Sequence, residues 1–244
     1  MIDEWGKGAK YWDRAWNPMI GCHKVSEGCA NCYAERMAGK FSELQDGNGG
    51  FEPHCPKKLK SPPKSGVVFV GNMTDIFGEW NTDEEIVNWL FALSEDAQNL
   101  VLTKRAARVA CFVVSPTYIH IGMTAENQKL YDERISDFRC LSQNGIPWLS
   151  AEPLLGPIDM GLQYIAPEDC PFKWVVVGAE SGPNRRPCKL EWVRDIVQQC
   201  RENGVPVFVK QLDLNGKLET DISKFPEDLQ IRQVPWKAKM SDEI

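Results

Sequence analysis

Six short, mainly apolar runs, at 67–70, 100–102, 119–121, 147–150, 174–177 and 205–209, punctuate this chain. Because several are apolar at adjacent positions rather than at every second one, they read as strands of a parallel sheet covered on both faces. Between them the apolar spacing lengthens to the helical period. Thr82 with Glu85 makes a capping-box pattern ahead of Ile86, Leu90 and Leu93. Leu190, Val193, Ile196, Val197 and Cys200 form a second stripe, closed by Asn203-Gly204. A third helix is predicted over residues 128–142, with Leu130, Phe138 and Leu141 apolar, and another begins near Tyr33. Strand alternating with helix defines βα units, and one more strand at residues 12–16 brings their number to about seven. The expected fold is α/β, a partial or complete (β/α) barrel rather than an open doubly wound sheet.

Residues 1–211 carry these units. Residues 212–244 read as a C-terminal appendage, with a hairpin-type Asn215-Gly216 turn and a polar, mobile end. Residues 41–63, rich in Gly, Pro and Lys, read as an excursion loop.

At 244 residues and 43% hydrophobic content the chain suits one large domain with a substantial core. No apolar run approaches a membrane span and the first residues lack a signal-peptide pattern, so a cytoplasmic protein without membrane contact is expected. Nine cysteines is an odd number, and Cys55, Cys111, Cys140, Cys170, Cys188 and Cys200 have no framework spacing, which argues against a disulfide scaffold. The net charge of −6 argues against a non-specific nucleic-acid coat. Basic residues cluster locally at Lys57, Lys58, Lys60 and Lys64, at Lys104, Arg105 and Arg108, and at Arg185 and Arg186; most such clusters are solvated surface.

The remaining three cysteines, Cys22, Cys29 and Cys32, share one loop between the first strand and the helix near Tyr33. Three thiolates can hold three irons of a four-iron cluster and leave the fourth open to a ligand, whereas a structural metal site is normally closed by a fourth protein ligand. The closed alternative is zinc, with His23, His54 or Cys55 completing the set. Polar residues follow nearly every predicted strand: Asn72, Thr74 and Asp75, then Thr103, Lys104 and Arg105, then Thr124, Glu126 and Asn127, then Glu152, Glu180 with Ser181, and Lys210. In a parallel α/β architecture these positions converge on the face where sites are built.

The combination Trp16-Asn17-Pro18, Gly21-Cys22, Gly28-Cys29, Asn31-Cys32-Tyr33, Asn72 to Asp75, Leu102 to Arg105, Glu126-Asn127, Glu152-Pro153, Gly178 to Gly182 and Lys210-Gln211 resembles a phage-associated three-cysteine-motif family of unknown function. That family is similar to radical S-adenosylmethionine (SAM) enzymes. The resemblance implies a radical-SAM-type barrel with a 4Fe-4S cluster on Cys22, Cys29 and Cys32, and SAM on the open iron. It implies reductive cleavage to a 5′-deoxyadenosyl radical that abstracts hydrogen from a substrate. Two features depart from the commonest radical-SAM pattern. Six residues rather than three separate the first two cysteines, and Asn31 replaces the aromatic residue before the last.

By the same resemblance Asn72, Thr74 and Asp75 meet the SAM amino group, Glu126 and Asn127 the ribose, and Glu180 SAM as well. Glu152 and Lys210, at later strand ends, face the substrate as catalytic groups, or else form a buried ion pair. The expected substrate is a nucleobase or modified nucleotide of phage DNA, and the expected electron donor a flavodoxin- or ferredoxin-type protein. The competing expectation is a metal-stabilised nucleic-acid or protein-binding module without turnover.

Overall fold

A computed structural model describes residues 9–110, 116–139 and 145–236. Eight strands form one mixed sheet in strict sequence order: β1 (Arg14–Trp16), β2 (Gly66–Val70), β3 (Ala97–Thr103), β4 (Ile119–Thr124), β5 (Trp148–Ala151), β6 (Trp174–Gly178), β7 (Val207–Leu214) and β8 (Lys217–Glu219). The first seven run parallel and β8 returns antiparallel. Among the described residues β1 and β8 do not pair, so the barrel is partial and open.

Curvature is visible in the side chains. Phe69 on β2 and Trp148 on β5 lie three strands apart, about 14 Å in a flat sheet, yet their ring centroids are 6.5 Å apart. Inward-pointing Val67, Phe69, Leu100, Trp148, Trp174, Val176 and Phe208 form one cluster that buries Tyr11 completely. Tyr11 meets Trp148, Trp174 and Phe208 edge to face at 5.3–5.9 Å. Gly122 faces Trp148 in the β4–β5 register, and a Cβ there would lie 2.4 Å from the indole, so only glycine admits this ring. The expected strand at 12–16 is therefore shorter; Tyr11 and Trp12 precede it and plug the interior.

The outward faces of the strands pack on helices α2 (Asp83–Phe91), α3 (Ala106–Val109), α4 (Gln128–Arg139) and α5 (Leu190–Glu202) in the larger core, while α1 (Tyr33–Ala38) packs through Ala34 in a separate small cluster with Ile20 and Met73. At α2 the capping box forms, with Thr82 N–H donating to Glu85 Oε2 at 2.8 Å and Glu85 N–H to Thr82 Oγ1 at 3.2 Å. Ile86, Leu90 and Leu93 are buried as expected, as are Val193, Ile196, Val197 and Cys200 of α5 and Phe138 of α4. Leu141, Ser142, Cys111 and Cys140 lie outside the described residues.

The boundary expected at 211/212 falls within β7. Asn215 and Gly216 adopt positive φ (53° and 76°) and turn β7 into β8, as a two-residue hairpin loop requires. Beyond it Ile222, Phe225 and Leu229 join the main core, and residues 231–233 bond to β7, with Val209 N–H on Ile231 O and Gln233 N–H on Val207 O. This covers an edge that would otherwise be open to pairing. The polar end, residues 237–244, lies outside the described residues. The excursion at 41–63 packs back on the cysteine loop through an Ile20–His54 bridge, and Trp16 Nε1 donates to Lys60 O at 2.7 Å.

His120 closes the interior at the end opposite the cysteines. It is 2% exposed, accepts Ile146 N–H on Nδ1 at 3.0 Å, has Gln98 Oε1 2.8 Å from Nε2 and stacks on Trp236. Burial pushes its pKa down to about 4 from 6.5. The unfolded chain therefore binds a proton that the folded chain refuses between those values. This stability is complete above pH 6.5 and is lost as pH falls towards 4, by about 3 kcal/mol. Chemical denaturation across that window should show this slope in the wild type and a flatter profile in His120→Asn.

Candidate functional site

The cysteine loop leaves β1 at the C-terminal end of the half-barrel and returns as α1. Cys29 ends a short 3-10 turn, Glu27–Cys29, and Cys32 immediately precedes α1. All three thiols are free and half-buried, and they line one cavity of about 230 Å³ at the strand ends.

The loop beside each cysteine is held by its own buried strand-end carboxylate. Asp75, after β2, accepts from the Thr103 hydroxyl at 2.8 Å, Lys104 N–H at 3.1 Å and Arg105 Nη1 at 3.0 Å. Arg105 in turn donates from Nη2 to His23 O at 3.2 Å, the carbonyl that also accepts from Cys22 Sγ at 3.4 Å. Glu79 and the face of Trp80 complete the guanidinium's surroundings.

Glu126, after β4, is 0% exposed, pairs with Arg134 at 2.8 Å and Lys104 at 3.3 Å, and accepts from Ser26 Oγ at 2.7 Å. Ser26 Oγ lies 3.7 Å from Cys29 Sγ. Gly28 rests directly on this carboxylate, and a Cβ there would sit 2.3 Å from Glu126 Oε1. Glu180, after β6 and 4% exposed, binds Arg186 through the backbone N–H at 2.8 Å and Nε at 3.0 Å, and accepts from Asn31 Nδ2, beside Cys32, at 3.0 Å.

Neutral groups add to the clamp. Thr74 Oγ1 donates to Gly21 O at 2.7 Å, Asn17 Nδ2 to Asn72 Oδ1 at 2.8 Å, and the Tyr33 hydroxyl to Asn72 O. Asn127 binds Glu27 through Nδ2 and accepts Leu130 N–H at 3.1 Å at the start of α4.

Cys22 and Cys29 differ in acidity. Burial, then nearby Asp75, pushes Cys22 up to about 12. Burial also acts to raise Cys29, but Lys104 and hydrogen bonds from Val25 and Ser26 bring it below its ordinary value. Glu126 and Glu180 both sit below the usual carboxylate range: desolvation opposes this, and Lys104 with Arg134, or Arg186 with Asn31, overcomes it.

The floor of the cavity is different again. Lys210 Nζ on β7 lies 2.9 Å from Glu152 Oε1 after β5, so the expected ion pair exists, with both side chains partly open to the cavity. Tyr11, Trp12, Phe69 and Leu102 form the apolar ground beneath it.

Asn72, Thr74, Asp75, Glu152, Glu180 and Lys210 thus share the cavity with the three cysteines, while Glu126 and Asn127 stand behind the loop and do not line it. Of the fourth ligands considered for zinc, His23 has Nε2 2.8 Å from Glu52 Oε2, and neither His54 nor Cys55 lines the cavity. Among the described residues no three His, Cys, Asp or Glu side chains are gathered closely enough to hold one metal ion. Ser26, Tyr11 and Trp12 carry no site signal in the sequence; Arg105 belongs to the polar set at the strand ends, but the sequence assigns it no role and its basic cluster reads as surface.

Fold and site together define an open, mostly parallel α/β half-barrel with a three-thiol pocket at its strand ends. A family model described as protein of unknown function (DUF5131) matches residues 7–233, so the chain belongs to that family. No curated protein and no solved structure matches it. The match brings no activity or cofactor with it; the phage association and the likeness to radical-SAM enzymes rest on the motifs alone.

The tethers give a stability prediction. Glu126→Ala leaves Arg134 and Lys104 without their buried partner, which costs about 3–5 kcal/mol and should lower the melting temperature by about 10 °C. Glu52→Ala, which breaks only the exposed contact with His23, should leave it almost unchanged in the same calorimetric scan.

Proposed function

We propose that this protein is an iron-sulfur enzyme of the radical-SAM type that holds a 4Fe-4S cluster on Cys22, Cys29 and Cys32. The observation that carries the proposal is the placement of three thiols, with no fourth among the described residues, on a cavity whose floor is a Glu–Lys pair. A soft three-thiolate donor set suits an iron-sulfur cluster and leaves one iron without a protein ligand. When bound, the cluster with SAM supplies one-electron chemistry that removes hydrogen from carbon.

The chain's own residues have separable tasks. Asn72, Thr74, Asp75 and Glu180, beside the thiols, are the groups that SAM would meet. Glu180, which already binds the cysteine loop through Oε2, would serve SAM with the acceptor capacity left on Oε1. The acceptor sites of Asp75 are filled by the N–H groups of Phe77 and Lys104, the Thr103 hydroxyl and Arg105, so it would act on SAM through its charge. Glu126 and Asn127 act through the loop, by fixing Cys29 and Glu27. Glu152 and Lys210 face the substrate, where a carboxylate and an ammonium orient it and take or return a proton. The aromatic ground of Tyr11, Trp12 and Phe69 keeps water from the reacting end. The substrate is a nucleobase or modified nucleotide, with phage DNA as its source, and the electron comes from a flavodoxin- or ferredoxin-type protein in the cytoplasm. No helix among the described residues is long and apolar enough to cross a membrane.

Anaerobic reconstitution should load about four irons and four sulfides per chain. Cys22→Ala, Cys29→Ala and Cys32→Ala should each abolish loading, while Cys55→Ala, Cys188→Ala and Cys200→Ala retain it. One zinc and no sulfide would instead favour a metal-stabilised binding module without turnover.

A second measurement separates cofactor from substrate roles. With dithionite, Glu152→Ala and Lys210→Ala should still release 5′-deoxyadenosine from SAM while failing to alter substrate. Loss of the cluster together with a fall in melting temperature would mean that the pair is structural.

A further inference from the structure

We infer that the cavity below the thiols takes a nucleobase, stacked on Trp12 and read along its edge by Glu152 and Lys210. This deepens the enzyme reading and rests on it for the cavity's role as a substrate pocket.

The argument begins with Trp12. It is half-buried on the cavity wall, and its neighbours Tyr11 and Phe69 meet it at interplanar angles of 77° and 61°, so neither stacks parallel upon it. A planar ligand can occupy that orientation, and stacking on an aromatic side chain contributes about 1–3 kcal/mol per base.

Hydrogen-bonding capacity lies alongside. Lys210 Nζ lies over the two rings, 5.8 Å from the Trp12 centre and 5.6 Å from that of Tyr11, so the ammonium is held on the aromatic ground itself, within reach of the edge of a base placed there. An ammonium carries three donors, and Glu152 Oε1 at 2.9 Å faces it. The other carboxylate oxygen, Oε2, has only the Ser150 hydroxyl at 3.3 Å and the Tyr11 hydroxyl at 3.5 Å, both at the outer limit for a hydroxyl donor. An unsaturated donor and an unsaturated acceptor therefore stand side by side next to an aromatic face.

Few ligand classes answer all three features. A saturated sugar or an acyl chain has no face to stack. A free phosphate would be repelled by Glu152, and a simple benzene ring offers no edge donors. A nucleobase has both a π face and a neighbouring N–H and C=O, or N–H and ring N, along one edge. The base could belong to a free nucleoside or to a single strand, and the same contacts serve either.

Isothermal titration of the anaerobically reconstituted protein, with SAM present, tests this with uridine, 3-methyluridine and a thymidine oligodeoxynucleotide. Uridine should bind, and 3-methyluridine, whose edge N–H is blocked, at least tenfold more weakly. Trp12→Leu should weaken uridine by about tenfold, and Lys210→Met should also weaken it. Much tighter binding of the oligonucleotide than of uridine would identify a strand as the source of the base, and the reverse a free nucleoside. Equal affinity for uridine and 3-methyluridine, or no heat with any of the three ligands, overturns the inference. Because the methyl group is on the ligand, that comparison does not depend on any variant folding. Iron and sulfide content of the same sample keeps the two readings apart. A loaded protein indifferent to the methyl group sinks this inference alone, whereas discrimination by a protein that forms no cluster upholds it and sinks the enzyme reading.

Discussion

Three carboxylates buried at the ends of alternate strands hold the cysteine loop, and the site depends on them. Asp75, Glu126 and Glu180 follow β2, β4 and β6, and each reaches one thiol's neighbourhood, through Arg105, Ser26 and Asn31 respectively. A charge taken out of water is costly unless it is paired and hydrogen-bonded, and each of these acids meets that condition with an arginine. The loop has little regular structure of its own beyond one 3-10 turn, so these side-chain bonds, with backbone bonds from Gly21 N–H to Met73 O and from Cys22 N–H to Phe51 O, set its shape. Of the intervening strands, β3 supplies Lys104 and Arg105, which pair with two of these acids, whereas β5 and β7 supply Glu152 and Lys210, which stand at the cavity floor instead of at the loop.

The depth of the cavity follows from the packing beneath it. Trp148, Trp174, Phe208 and Phe69 fill the half-barrel from four strands, and Tyr11 inserts where a closed barrel would bring in another strand. The open sheet is thereby plugged at one end by aromatic rings and by His120 with Trp236, and left hollow at the end where the cysteines stand.

Much of the framework is legible in the sequence because buried parallel strands and capped amphipathic helices have strong local signals. The runs at 174–177 and 67–70 are strands because neighbouring apolar residues are covered on both faces, and Thr82 with Glu85 caps α2 through contacts three residues apart. The Asn215-Gly216 hairpin is equally local. The tethers are not. Arg105 sits in a basic cluster that reads as surface, and its burial depends on Asp75, thirty residues earlier, and on the His23 carbonyl across the site. Glu126 and Asn127 were assigned to a cofactor's ribose, but their side chains turn to Ser26, Arg134 and Glu27. The polar residues at strand ends do converge; what the sequence hides is which of them are already used by the protein.

Whether an iron is left open for SAM is most directly measured by electron paramagnetic resonance of the dithionite-reduced, reconstituted protein, with and without SAM. Three protein thiolates on four irons predict an iron-sulfur signal whose shape changes when SAM is added. A signal indifferent to saturating SAM, or no iron-sulfur signal at all, would contradict the account.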